Sequence, residues 1–163
     1  DPDPVLIFEN AMLYNREGDI GDNAGPVDID RAAVRRAGKD VSLITYGGSL
    51  FKTLDAATQL EAEGISAEVI DLRTLRPLDS ETILNSLAKT NRLVVAEEGW
   101  PTCSISSEII ALCMEQGFDD LDAPVLRVSN EDVPLPYAAN LEKAALIDSA
   151  KIIEEVKKVC YVK

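Results

Sequence analysis

The sequence contains no histidine. That absence removes Ser-His-Asp and Cys-His nucleophiles and most zinc and haem sites, so any chemistry here proceeds without imidazole. Cysteine is scarce: Cys103, Cys113 and Cys160 are an odd number without C-x-x-C spacing. They read as buried or free thiols in a reducing compartment, not as a disulfide framework or a metal site. No apolar run reaches the roughly 18 residues a membrane span requires. The opening Asp1-Pro2-Asp3-Pro4 lacks the basic, apolar and small-residue order of a signal peptide. Basic residues are outnumbered 16 to 29, giving a formal charge of −13. Nucleic acid is excluded as a partner, because neutralising phosphates needs a basic face.

What remains is the composition of a soluble globular chain: 163 residues, 46% apolar and 28% charged, enough for one domain of ordinary size. The charge is unevenly spread. Residues 1–30 hold eight acids against the single base Arg16 and so carry −7 of the −13. Within that stretch Val5–Phe8 is a short apolar run of strand type, while 11–30 sets Gly18, Gly21, Gly25 and Pro26 among acids without apolar periodicity. A lone strand cannot bury itself. Residues 1–10 are therefore expected to end a preceding domain, with 11–30 as an acidic linker and 31–163 as the domain proper.

From residue 31 the pattern becomes regular. Ala33–Ala37 predicts a short strand turned by Gly38-Lys39-Asp40 into Val41–Tyr46, and Gly47-Gly48-Ser49 leads into a helix marked by Leu50, Leu54, Ala57 and Leu60, with Ser49 as its N-cap and Gly64 beyond its end. The cycle repeats with strand Ala67–Leu72, an Asp79 N-cap and a helix bearing Ile83, Leu84 and Leu87. It repeats again with strand Arg92–Glu97 and helix Ile105–Gln116, stopped at Gly117. Val125–Val128 is the last strand. Ile152, Ile153, Val156 and Val159 give the closing helix one apolar face. Strands alternating with helices predict an α/β fold with a mostly parallel sheet between helical layers. No internal repeat accompanies the alternation.

In such sheets ligands gather beyond the carboxyl ends of the strands, at Gly47–Ser49, Arg73–Pro77, Glu97–Pro101 and Ser129–Tyr137. Gly47-Gly48-Ser49 offers a helix N-terminus to an anion but lacks both phosphate-loop motifs, and a tight turn accounts for it. Glu97 and Glu98 are adjacent on a strand and so point to opposite faces, which suits contact or packing better than acid–base work. Trp100 is the only tryptophan, placed in a loop as an interface anchor or a cap on the core. Asp119, Asp120, Asp122, Glu131 and Asp132 flank the last strand as a solvated face or a docking patch for a basic partner. Pro134-Leu135-Pro136-Tyr137 is stiff, with two fixed φ angles. None of these is an active site.

Several segments together carry a resemblance: Val5–Asn10, Gly64–Asp79 (G-I-S-A-E-V-I-D-L-R-T-L-R-P-L-D), Lys89–Val94, Glu97-Glu98-Gly99-Trp100-Pro101, Leu121-Asp122-Ala123-Pro124 and Asp132–Glu142. In this order they resemble the C-terminal half of the pyruvate dehydrogenase beta subunit family. The resemblance implies the transketolase C-terminal fold, a three-layer α/β/α sandwich on a mixed five-stranded sheet with one antiparallel strand. It also implies thiamine diphosphate and magnesium in the whole heterotetramer, none in this part, and a mitochondrial matrix location favoured by the Cys160-Tyr161 ending, with bacterial cytoplasm as the alternative.

The implied partners are the alpha subunit, a second beta subunit and the subunit-binding domain of a dihydrolipoyl acetyltransferase. Subunit contact falls on Glu98, Gly99, Trp100, Pro101, Pro134, Pro136 and Tyr137, and acetyltransferase docking on Asp122 and the carboxylate of Lys163. The implied enzyme decarboxylates pyruvate and reductively acetylates lipoyl groups, with this half serving assembly and docking. Alternatives are the beta subunit of an acetoin or branched-chain 2-oxoacid dehydrogenase, or a freestanding flavodoxin-like module. Two departures stand out: Thr102–Glu108 replaces a glycine-richer Q-x-G-x-G-A-E segment, and Lys163 replaces an apolar ending.

Overall fold

Val41–Thr45 is buried throughout, so it forms a strand covered on both faces and its sequence is a continuous run rather than an alternation. The computed structural model describes residues 4, 6, 11–19, 22 and 25–162. The strand expected at Val5–Phe8, apart from Leu6, and the terminal Lys163 lie outside them. Five strands form one sheet: β1 (Ala33–Arg36), β2 (Val41–Thr45), β3 (Ala67–Asp71), β4 (Leu93–Ala96) and β5 (Leu126–Val128), in the order β1-β3-β2-β4-β5. β2 is parallel to β3 and β4, and β4 to β5, while β1 runs antiparallel to β3. This is the expected mixed sheet with one antiparallel strand.

The period of two along each strand divides the core. Val41, Leu43, Val69, Val94 and Ala96 face α1 (Ser49–Ala62) and α5 (Ser149–Val159). Ile44, Ile70, Leu93 and Val95 face α2 (Ser80–Thr90) and α3 (Ile105–Gln116). Each such valine, leucine or isoleucine side chain stabilises the fold by about 1.5–3 kcal/mol. A short helix, α4 (Ala139–Ala145), was not foreshadowed, because Ala145 is its only buried residue and seven residues show no period.

The turn at Gly38–Asp40 connects β1 to β2 but not as a hairpin, since β3 lies between them. The chain instead crosses the start of β3. Lys39 and Asp40 N–H both donate to the Ser66 carbonyl, at 3.0 and 2.9 Å, and Ser66 N–H donates to Asp40 Oδ2 at 2.7 Å. A Cβ on Gly38 would lie 2.1 Å from Ala67 C and Glu68 N, so the crossing is open only to glycine.

Helix ends follow local chemistry, with one correction. Ser49 is not the N-cap of α1; Gly48 holds that position, and the Ser49 hydroxyl turns back to donate to the Tyr46 carbonyl at 3.1 Å. At the other end Gly64 adopts φ +87°. Its N–H donates to Glu61 O at 3.0 Å and that of Ile65 to Leu60 O at 2.9 Å, the paired bonds of a Schellman motif. Gly117 ends α3 for a different reason: its φ is −129°, but a Cβ there would meet Leu87 Cδ2 at 2.8 Å, where α3 leans on α2.

Beneath α2 a buried polar chain joins helix to sheet. Ser86 Oγ donates to Glu68 Oε1 at 2.7 Å, Lys89 pairs with the other oxygen of Glu68, and Ser42 Oγ bonds Ser86 Oγ at 2.5 Å and Thr90 Oγ1 at 2.7 Å. Fully satisfied, such a chain fixes the seat of the helix more sharply than apolar contact does.

Asp79 caps α2 as expected, accepting from Thr82 N–H at 3.0 Å through Oδ1, and from Thr82 Oγ1 at 2.7 Å and Ala32 N–H at 2.9 Å through Oδ2. Burial pushes its carboxyl up, but the bonds from Ala32 and Thr82, with Arg31 nearby, outweigh this and hold it below the ordinary 3.8. With the folded value depressed, the stabilisation is present above 3.8 and is lost as pH falls through the folded value. Asp79→Ala is expected to cost about 1–2 kcal/mol at neutral pH and to flatten acid unfolding below that point. Urea titrations of both proteins at neutral and acidic pH check this; an equal gap at both would refute the cap as its source.

Candidate functional site

The chain leaves β2 for β3 on one side and returns to β4 on the other, so the switch point of the sheet lies at the carboxyl ends of β2 and β4. A crevice of about 520 Å³ opens there, lined among others by Leu13, Arg16, Phe51, Lys52, Glu98 and Leu135. The Arg73–Pro77 loop, beyond β3, lines none of it. Arg16, in the segment before β1, lies over the Phe51 ring at 3.8 Å, a cation–π contact that brings that segment against the first turn of α1. The crevice is thus walled partly by Leu13 and Arg16 from the segment before β1 and by Leu135 of the proline loop.

Alternation along the strand separates the two glutamates. Glu97 turns to the α2/α3 face and is 1% exposed; its Oε2 accepts from Tyr46 OH at 3.0 Å and its Oε1 from Ser106 N–H at 3.2 Å in the first turn of α3. Glu98 faces α1 and meets Lys52 Nζ at 2.5 Å. Burial, then the Glu97 charge and its hydrogen bond, push the Tyr46 phenol well above its ordinary 10.0. Tyr46 therefore keeps its proton and donates it to Glu97. One carboxylate is locked into helix capping and the other into an ion pair, so no acid and base converge on a substrate.

Two loops meet at this same end. Asn130 N–H donates to Gly99 O at 2.9 Å, Trp100 Nε1 to Val133 O at 3.1 Å, Thr102 Oγ1 to Asp132 Oδ2 at 2.7 Å, and Arg127 Nη1 to Pro101 O at 2.7 Å. The structure thus brings Glu98, Gly99, Trp100 and Pro101 beside the loop that carries Pro134, Pro136 and Tyr137. Laced this way, the loops present Trp100, Val133, Leu135 and Tyr137 outward, with Tyr137 fully exposed. Trp100 is half exposed and so does not cap the core.

The five acids do not form one patch. Asp119, Asp120 and Asp122 precede β5 and sit at its amino end, whereas Glu131 and Asp132 follow it and sit at its carboxyl end, where Glu131 pairs with Lys151 at 3.4 Å. Adjacency in sequence was misleading because a strand carries the chain across the sheet.

At the amino end, Asp122 N–H donates to Asn91 O at 2.9 Å and Tyr161 OH to Asp122 O at 3.1 Å. Beside it lies an apolar groove of about 380 Å³ formed by Met114, Phe118, Leu121, Ala123 and Pro124. Met114 and Phe118 were missed as site residues. Their four-residue spacing was visible, but it resembles an ordinary core stripe. Among the described residues no group of three or more Cys, Asp or Glu is placed to hold a metal.

Residues 30–152 match the family described as transketolase, C-terminal domain. Over 163 residues the chain is 48% identical to a protein of Rickettsia bellii named pyruvate dehydrogenase E1 component subunit beta, covering all of this chain and 50% of that one. It is likewise 48% identical to the mitochondrial subunit of that name from Dictyostelium discoideum, covering 98% of this chain and 46% of that one. Among solved structures, a split-gene transketolase described as an inactive beta4 tetramer superposes with a TM-score of 0.74 at 31% identity, covering 90% of this chain and 46% of that one. The chain spans about half the length of these curated relatives.

Proposed function

The chain belongs to the transketolase C-terminal domain family, and on that premise we propose that it is the C-terminal half of a pyruvate dehydrogenase beta subunit, serving assembly and docking. The whole enzyme decarboxylates pyruvate and reductively acetylates lipoyl groups. The observation that carries the reading is the apolar surface built by Trp100, Val133, Leu135 and Tyr137, held outward by hydrogen-bonded loops at a site without acid–base machinery. Surfaces of this kind mark contacts with other chains. The alpha subunit and a second beta subunit cover it, through Glu98, Gly99, Trp100, Pro101, Pro134, Pro136 and Tyr137.

Thiamine diphosphate and magnesium, which serve the assembled enzyme, do not fit the donors present here. The carboxylates that line the crevice are Asp55 and Glu98, and Glu98 is already paired with Lys52, while among the described residues no three Cys, Asp or Glu are grouped to supply the oxygen donors that magnesium takes. No step is assigned to the cofactor in this chain. Relatives come from bacteria and from mitochondria. The mitochondrial matrix is the reading favoured by the Cys160-Tyr161 ending.

At the amino end of β5, Asp122 beside its apolar groove receives the subunit-binding domain of a dihydrolipoyl acetyltransferase. A carboxylate next to apolar surface suits a basic domain that brings a cation and an aliphatic side chain together. Calorimetric titration of the chain with that recombinant domain, at two salt concentrations, tests it. Asp122→Ala is expected to weaken binding roughly tenfold, more at low salt than at high. Wild-type and variant affinities that coincide would remove Asp122 from the interface.

A further inference from the structure

Arg92 stands at the entrance to β4 with its main chain held twice, its carbonyl accepting from Ser42 N–H at 2.8 Å and from Thr90 Oγ1 at 3.0 Å. Its side chain extends to the Asp122 carboxylate, Nη2 lying 3.3 Å from Oδ2. Nε is buried with no hydrogen-bond partner among the described residues. Of the pair, Asp122 is the more exposed, at 57% against 29%. Tyr161 OH donates to the Asp122 carbonyl at 3.1 Å, and Cys160 lies within the field of both Arg92 and Asp40: burial raises its thiol, while Arg92 opposes that rise and Asp40 adds to it. Arg92 is therefore a cation fixed at the base of the surface, and it lacks the freedom to swing away that an exposed lysine would have.

Resting on the docking reading above, we propose that Arg92 is a built-in competitor for Asp122, which a basic partner must displace from the carboxylate in order to bind. A cation arriving at Asp122 comes within a few ångströms of the guanidinium and is repelled by it. The Arg92 contact is single and long, not the bidentate fork that would lock the carboxylate in a set orientation. It therefore neutralises Asp122 more than it orients it. Arg92 thus sets how strongly basic a partner must be and disfavours weakly charged ones, a repulsive element of specificity alongside the attractive one.

The test compares the wild-type chain with R92Q, R92M and R92K, titrated calorimetrically with the subunit-binding domain of a dihydrolipoyl acetyltransferase at low and high salt. Thermal unfolding first establishes that each variant is folded. R92M keeps the apolar stem packed, so it stands in should R92Q unfold. The neutral variants are expected to bind about two- to fivefold more tightly at low salt, the range an exposed ion pair supports, and the gain shrinks at high salt. R92K, which keeps the charge but can swing aside, gains less than the neutral variants, and R92M gives no gain when combined with D122N.

Neutral variants that bind no better than wild type, while D122N binds worse, overturn the competitor and leave docking at Asp122 standing. Failure of the wild-type chain to bind at either salt concentration removes the docking reading and the competitor with it.

Discussion

Gly38→Ala is expected to be the most destabilising small substitution in the chain, at roughly 3–5 kcal/mol. The added carbon meets backbone, 2.1 Å from Ala67 C and Glu68 N, and not the yielding tip of a side chain. Relief requires lifting the β1–β2 crossing off β3, which breaks the bonds from Lys39 and Asp40 to Ser66 and disturbs the β1 pairing next to it. Gly25→Ala is the control, since its added carbon meets nothing within 4 Å and its φ is not positive. Urea unfolding of both variants provides the comparison. A Gly38→Ala midpoint matching that of Gly25→Ala would mean the crossing is loose and the close approach unimportant.

The second large effect belongs to Glu97. Removing its side chain with Glu97→Ala leaves the Tyr46 hydroxyl and the Ser106 N–H without an acceptor and takes a negative charge from the start of α3, where it is favoured. The expected loss is about 3–5 kcal/mol. Glu97→Gln keeps the shape and one acceptor, so it should cost much less.

Tyr46 supplies a second readout. Its folded phenol is held above 10.0, so the contribution is present below pH 10, where the unfolded phenol is still protonated, and is lost as pH rises further. Tyr46→Phe should therefore soften the alkaline decline in melting temperature. Because the two residues share one hydrogen bond, the double variant should lose less than the two single losses combined. Additive losses, with an unchanged alkaline limb, would show that the pair does not act as a unit.

The exposed apolar loops and the Asp122 surface differ in how far the sequence disclosed them. Trp100 could be placed in a loop, as an interface anchor or a core cap alike, and Pro134–Tyr137 read only as a stiff segment; that both stand outward was decided by the structure. By charge patterning Asp122 was one acid among five, singled out by the family resemblance alone, and Arg92, thirty residues away, gave no sign of being its partner. Ion pairs between distant segments leave no periodicity for a sequence to show.

The order of strands and helices, the two-sided burial of β2, the Asp79 cap, the Gly64 terminator and the amphipathic face of α5 were set by local patterning. Each depends on residues within a few positions of one another, through backbone geometry and solvent exclusion that the immediate sequence encodes. Tertiary structure alone decided that β3 separates β1 from β2, that Gly38 lies against Ala67, that Glu97 caps a helix nine residues on, and that the five acids part to opposite ends of β5. Those outcomes depend on which buried surfaces fit together at close packing, a property of the whole assembly of elements and not of any one of them.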